Sequence, residues 1–223
     1  MNKKLKNYYS NTSMLGEAIR TLRTNLSFSS IDGNMKAILI TSAEPADGKS
    51  TVSVNLARSM AENGSKVLLI DCDLRNPSIA KVSGNTNPRG ITNYLVRESR
   101  LEDIIMHDKK IPSLELILSG TKPPNPAELL STNRMKDFIE VAKRNYDMVI
   151  LDTPPVGILT DAAVLSRIVD GVVMVVSHEK TKKSSINDAI KNLKNVGANI
   201  VGMVFNRVPV AKNNKYGYGN DGK

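Results

Sequence analysis

A chain of 223 residues with 40% hydrophobic content can bury one sizeable core but is too short for two full domains. No apolar run approaches the roughly 18 to 20 residues of a membrane span, and Lys3, Lys4 and Lys6 are followed by no apolar segment, which argues against a signal peptide and leads us to expect a cytoplasmic protein. The net charge of +9 is dispersed, with Lys180, Lys182 and Lys183 far from Lys212, Lys215 and Lys223, and with no Trp and 4% aromatic residues a nucleic-acid partner is not expected.

In chain order, residues 1–11 are polar and read as unstructured. A helix is expected over about 13–29, where Leu15, Ile19, Leu22 and Leu26 share one stripe at about 100° per residue. Glu17, Arg20 and Arg23 recur every third residue and form a ridge away from that stripe. Strands are expected at 36–42, 66–71, 114–119, 147–152, 171–177 and 200–206, several of them apolar almost throughout. Between them lie helix-length amphipathic segments at 49–63, 126–144, 160–168 and 180–195, with Gly64 and Gly197 placed as stops. This alternation predicts an α/β fold: a mostly parallel, doubly wound sheet with helices on both faces, in one domain over 1–210. Residues 211–223, rich in Asn, Lys and Gly, form a polar tail carrying Tyr216 and Tyr218. Cys72 is the single cysteine, so no internal disulfide exists.

The turn after the first strand, Ala43-Glu44-Pro45-Ala46-Asp47-Gly48-Lys49-Ser50-Thr51, reads as a P-loop. The backbone N–H groups from Ala46 to Thr51 and the helix N-terminus they open would surround phosphate oxygens. Lys49 would add a cation for the β and γ groups, and Ser50 a hydroxyl for Mg²⁺. The usual pattern begins with Gly where this chain has Ala43, so the flanking strand and helix carry the assignment. Two later strands end in Asp71-Cys72-Asp73 and in Asp152, delivering carboxylates to the sheet edge where open α/β folds bind ligands. A lone aspartate at a strand end is often a turn residue; Asp71, Asp73 and Asp152 converging with Lys49 suit a magnesium-bound triphosphate.

These segments resemble the Walker A, A′ and B motifs of bacterial tyrosine kinases, the BY-kinases of capsule and exopolysaccharide clusters. The match runs through Gly48-Lys49-Ser50, Asp71-Cys72-Asp73-Leu74-Arg75 and Ile150-Leu151-Asp152-Thr153-Pro154-Pro155. Glu17, Arg20 and Arg23 look like that family's E-x-x-R-x-x-R oligomerisation helix, and Tyr216 and Tyr218 like its C-terminal tyrosine cluster, here with fewer tyrosines than is common. The related MinD/ParA ATPases carry a lysine five positions before the catalytic one, where this chain has Glu44.

The resemblance implies a P-loop protein-tyrosine kinase that uses ATP and Mg²⁺, phosphorylates its own tail at Tyr216 and Tyr218, and regulates polysaccharide synthesis and export. Matched motif to motif, Lys49 would hold phosphates, Ser50, Asp73 and Asp152 would hold the metal directly or through water, Asp71 would orient or deprotonate the acceptor phenol, and Asn206 would contact adenine. It further implies a ring-like homo-oligomer, a membrane-anchored activator that docks through a cytoplasmic segment and holds the kinase at the inner face of the membrane, and a cognate phosphatase among other protein partners. A MinD/ParA-type ATPase, or a nucleotide-dependent scaffold without kinase chemistry, is the alternative.

Overall fold

The structure, a computed structural model, describes residues 14–29 and 35–209. Its strands are β1 (Ala37–Ser42), β2 (Val67–Asp71), β3 (Ile105–His107), β4 (Leu114–Ile117), β5 (Met148–Asp152), β6 (Gly171–Ser177) and β7 (Ile200–Asn206). Its helices are α1 (Met14–Ser29), α2 (Lys49–Glu62), α3 (Ile79–Ser83), α4 (Ile91–Leu95), α5 (Pro126–Leu130), α6 (Asn133–Asn145), α7 (Asp161–Leu165) and α8 (Lys183–Asn195). The strands form one sheet in the order β3-β4-β2-β5-β1-β6-β7, with every neighbouring pair parallel except β3 and β4.

The strand sequences explain the layering. In β1 every residue is buried, because helices cover both faces, and its side chains alternate between two cores. Ala37 and Leu39 join Leu68, Ile70, Val149, Leu151, Val172 and Met174 under α4 to α8. Ile38 and Ile40 join Val67, Leu69, Ile150, Val173 and Val175 under α1, α2 and α3. Strand ends toward the carboxyl side of β2, β5 and β1 are consequently neighbours, with Asp71 paired to Asp152 and Asp152 paired to Ile40 in register.

Several elements differ from the sequence expectation. β3 is an antiparallel edge strand that went unpredicted, and α3 and α4, each five residues long, are too short to show a helical period. The segment expected as one helix over 126–144 is two, because Thr132 takes an extended conformation and its hydroxyl accepts from the Met135 N–H, capping α6 afresh. In α1, Ile19 and Leu26 are buried as expected, whereas Leu15 is 40% exposed. Arg23 departs from the free ridge: it donates to the Ser59 carbonyl at 2.8 Å and the Ser59 hydroxyl at 3.2 Å, pinning α1 to α2. Glu17 and Arg20 pair with each other at 2.6 Å on the exposed side.

The start of β1 hangs on Asp170. Its Oδ2 accepts the Lys36 and Ala37 N–H groups, each at 2.8 Å, and its Oδ1 lies 2.7 Å from Lys143 Nζ. Bonds to a charged acceptor contribute more than neutral ones, and the site is about one quarter exposed, so Asp170→Ala is expected to cost about 2 kcal/mol. Urea unfolding checks this: the midpoint falls with the m value unchanged, whereas an unmoved midpoint refutes the role.

Candidate active site

The P-loop connects β1 to α2 and owes its shape to two left-handed residues, Ala46 (φ 61°) and Gly48 (φ 97°). Gly48 admits no other residue easily, since a Cβ there would stand 2.0 Å from Asn206 Nδ2. That amide nitrogen donates to the Asp47 carbonyl at 2.8 Å, so Asn206, at the end of β7, braces the loop. The loop's first residue, Ala43, has no left-handed backbone and is buried, with its carbonyl oxygen 2.4 Å from where a Cβ on Gly157 would sit. The space for the loop thus comes from Gly157 rather than from a glycine at position 43.

Lys49 opens α2 and points across to β2, where its Nζ lies 2.9 Å from Asp73 Oδ2, both side chains nearly closed to solvent. Ser50 donates to Asp152 Oδ2 at 2.5 Å, and Ser53, one turn along α2, donates to Asp152 Oδ1 at 2.9 Å. Ser78 in turn donates to the Ser50 hydroxyl at 2.6 Å. Asp71 is held by backbone: Oδ2 accepts from Ser78 N at 3.1 Å and Ile79 N at 3.0 Å, and Oδ1 from Asp73 N at 3.2 Å. Asp73 Oδ1 accepts from Asn76 N at 3.0 Å. The structure therefore gathers Lys49, Ser50, Asp71, Asp73 and Asp152 in one place, drawn from three adjacent strand ends.

Electrostatics follow from that crowding. Burial, with Asp152 alongside, pushes the Asp71 carboxyl up to about 7, although the Ile79 and Asp73 N–H groups oppose the rise. Burial likewise raises Asp152 against the pull of Lys49, Ser50 and Ser53. For Lys49 burial works against the ammonium, but Asp152 and Asp73 outweigh it, and its pKa is raised. Lys49 is a fixed cation among three carboxylates. The donors are hard oxygens from Ser50, Asp73 and Asp152, the set that Mg²⁺ accepts. Among the described residues no cluster of three or more His, Cys, Asp or Glu side chains is arranged to hold a metal alone.

Sequence reasoning missed several members. Asp161, fully buried at the start of α7, receives a two-pronged bond from Arg75, Nε at 2.9 Å and Nη2 at 3.0 Å, and so fastens the segment after Asp73 to the opposite helix. Ser53 lies inside α2 and Ser78 just ahead of α3, and no local signal marks either as part of the site. Thr41 and Thr153 tie the β1 and β5 ends together, donating to Pro154 O at 2.8 Å and Ile40 O at 3.0 Å. Cys72 is fully buried, and burial followed by Asp71 raises its thiol pKa, which keeps it inert. Tyr216 and Tyr218 lie outside the described residues.

Comparison with known proteins agrees with this geometry. Residues 35–203 match the AAA domain family. Over 206 residues the chain is 41% identical to the tyrosine-protein kinase YwqD of Bacillus subtilis, covering 92% of this chain and 86% of that one. It is 34% identical to the putative tyrosine-protein kinase CapB of Staphylococcus aureus, covering 92% and 90%. The crystal structure of the chimerical protein CapA2B2 superposes with a TM-score of 0.87 at 33% identity, over 94% of this chain and 92% of that one. The septum site-determining protein MinD of Pyrococcus horikoshii, at TM-score 0.63 and 24% identity over 77% and 70%, shares the fold. The parallel sheet, its P-loop and the carboxylates gathered beside Lys49 thus sit in a chain that belongs to the bacterial tyrosine-kinase family of P-loop proteins.

Proposed function

We propose that this chain is an ATP-dependent protein-tyrosine kinase that phosphorylates tyrosines of its own tail, Tyr216 and Tyr218, and regulates capsular or extracellular polysaccharide synthesis and export. The observation that carries the reading is the meeting of Lys49, Asp71, Asp73 and Asp152 at the mouth of the P-loop. Kinship with proteins named tyrosine-protein kinases supports the reaction class.

In this reading the N–H groups from Ala46 to Thr51 cradle the phosphates, and Lys49, preset by Asp73, contacts the β and γ oxygens. Ser50, Asp73 and Asp152 would hold Mg²⁺, which supplies charge neutralisation to the phosphate oxygens when bound. Asp71 stands next to Asp152 and accepts the phenol proton as the tyrosine oxygen bonds to the γ-phosphorus; the bond from that phosphorus to the β–γ bridging oxygen breaks and ADP leaves. A carboxyl poised near pH 7 serves that purpose better than one at its ordinary value near 4, because proton affinity rises while the anion is still present at neutral pH. Asn206 braces the loop at the Asp47 carbonyl and is the residue we assign to the adenine side.

The unit is a single kinase domain over 1–210 followed by a substrate tail at 211–223. Glu17 and Arg20 on α1, with Arg23 at its edge, form the surface assigned to self-assembly into a ring. Among the described residues no helix is long and apolar enough to cross a membrane. Attachment to the inner face of the membrane is assigned to a membrane-anchored activator that docks through a cytoplasmic segment. A phosphatase would reverse the tail modification.

Label transfer from γ-labelled ATP to the full chain tests the reaction. Lys49→Met is expected to reduce it by at least about 100-fold, and the Tyr216→Phe/Tyr218→Phe pair to abolish it while nucleotide binding persists. Binding and assembly with no phosphotyrosine in the wild type would favour the scaffold reading instead. The role of Asp71 is tested with a tyrosine peptide as acceptor. Because the base must be deprotonated, kcat/KM should rise with pH through the pKa of Asp71 and level off above it; burial raises that pKa to about 7 in the metal-free site, and bound Mg²⁺ would move the rise to lower pH. Asp71→Asn should lose about 10² to 10⁴ in rate together with that rising limb; a variant that keeps both assigns the base elsewhere.

A further inference from the structure

The P-loop is bound to the connection between β6 and α8 through contacts that the chemistry above leaves unused. Asp47 is fully buried, yet it lies within the run whose N–H groups face the phosphates. Its Oδ2 accepts the Glu44 N–H at 3.0 Å, which folds the loop on itself. Its Oδ1 accepts the Thr181 hydroxyl at 2.9 Å and lies 3.5 Å from Lys180 Nζ. Lys180 also donates to the Pro45 carbonyl at 2.5 Å. Thr181 is itself fixed, since its hydroxyl oxygen accepts from Ser177 N at 3.0 Å at the end of β6.

Glu44 completes the attachment from the other side. Its carboxylate bonds to the Ser185 hydroxyl and faces the Lys182 N–H at 3.4 Å, where α8 begins. This explains why α8 starts at Lys183 and not at 180 as the sequence suggested: residues 180–182 are given to the loop. Two consequences follow from elementary electrostatics. A buried carboxylate beside a triphosphate repels it unless a cation or donor answers the charge, and a loop of six phosphate-facing amides binds only while its backbone keeps one shape.

We infer that Lys180 and Thr181 are positioning residues for phosphate binding: they hold the P-loop in its binding shape through Asp47 and Pro45, and they screen the Asp47 charge from the nucleotide. The inference rests on the reading of the P-loop as the ATP site. Lys180 is a side chain about two-fifths exposed, so its replacement leaves the core intact.

The test is a calorimetric titration of full-length protein with Mg-ADP, with KM for ATP and kcat measured on the same samples. Lys180→Met and Thr181→Val should each weaken Mg-ADP binding by about tenfold, with KM rising in step and kcat changing much less. Thr181→Ser, which restores the hydroxyl, should return binding to within about twofold of wild type. Unchanged binding in both variants overturns the inference, as does a lower melting temperature with intact affinity, or a loss confined to kcat. Should Thr181→Val fail to fold, Lys180→Met and Thr181→Ser decide it. A wild-type chain that takes up no Mg-ADP would overturn the ATP reading and this inference together, whereas wild-type binding with unaffected variants overturns only the latter.

Discussion

Three buried carboxylates and one ammonium cannot share a dry pocket at no cost, and the rest of the structure is arranged around that repulsion. Register makes it unavoidable: β2 and β5 pair in parallel with Asp71 opposite Asp152, so the two side chains leave adjacent strand ends about one strand spacing apart. Desolvation adds to the repulsion and raises both carboxyl groups, while Lys49, Ser50, Ser53 and the backbone around Ser78 and Ile79 oppose the rise. Such an arrangement is sustained by packing elsewhere. Strands β1, β2, β5 and β6 are buried on both faces almost without interruption, and the two cores they separate hold the strand ends where their charges would otherwise drive them apart. A site under this strain gains from a divalent cation, because each positive charge added relieves two or three carboxylates at once.

Much of the fold and the chemical centre was legible because both rest on short-range patterns. Apolar runs of five to seven residues gave the strands buried on both faces, and Gly48-Lys49-Ser50 between a strand and a helix pointed to the candidate site. Illegible residues are those whose meaning lies in long-range contacts. Asp161 answers Arg75 from 86 positions away, Ser53 answers Asp152 from 99, and Thr181 answers Asp47 from 134. Nothing local separates such a serine or threonine from a surface one. The same limit explains Arg23, whose period-three spacing suggested a free ridge; its reach to Ser59 depends on how α1 lies across α2. Helices α3 and α4 escaped notice because five residues hold barely more than one turn, with too few positions to define a face.

The departure at Ala43 shows how a motif can fail as text and hold as geometry. A glycine is required where the backbone is left-handed or where another atom leaves no room for a Cβ. Ala43 meets neither condition, Gly48 meets both, and Ala46 accepts a positive φ despite its methyl group. The close approach that a leading glycine would permit is supplied from across the site by Gly157, which follows the Asp152 motif and leaves space for the Ala43 carbonyl. Two distant segments thus share one steric requirement, and a pattern search along a single segment sees only half of it.

The loop is braced from both flanks. Asn206 holds the Asp47 carbonyl from β7, and Lys180 and Thr181 hold Pro45 and the Asp47 carboxylate from the β6–α8 connection. Glu44 is turned outward to the start of α8. A lysine there would face Lys180 and Lys182 and lose the bonds that Glu44 makes, so the substitution conflicts with this loop's own supports. In the kinase reading the phosphate cradle is consequently built from residues of one chain. What that reading still requires is an acceptor hydroxyl, the component proposed above for Tyr216 and Tyr218.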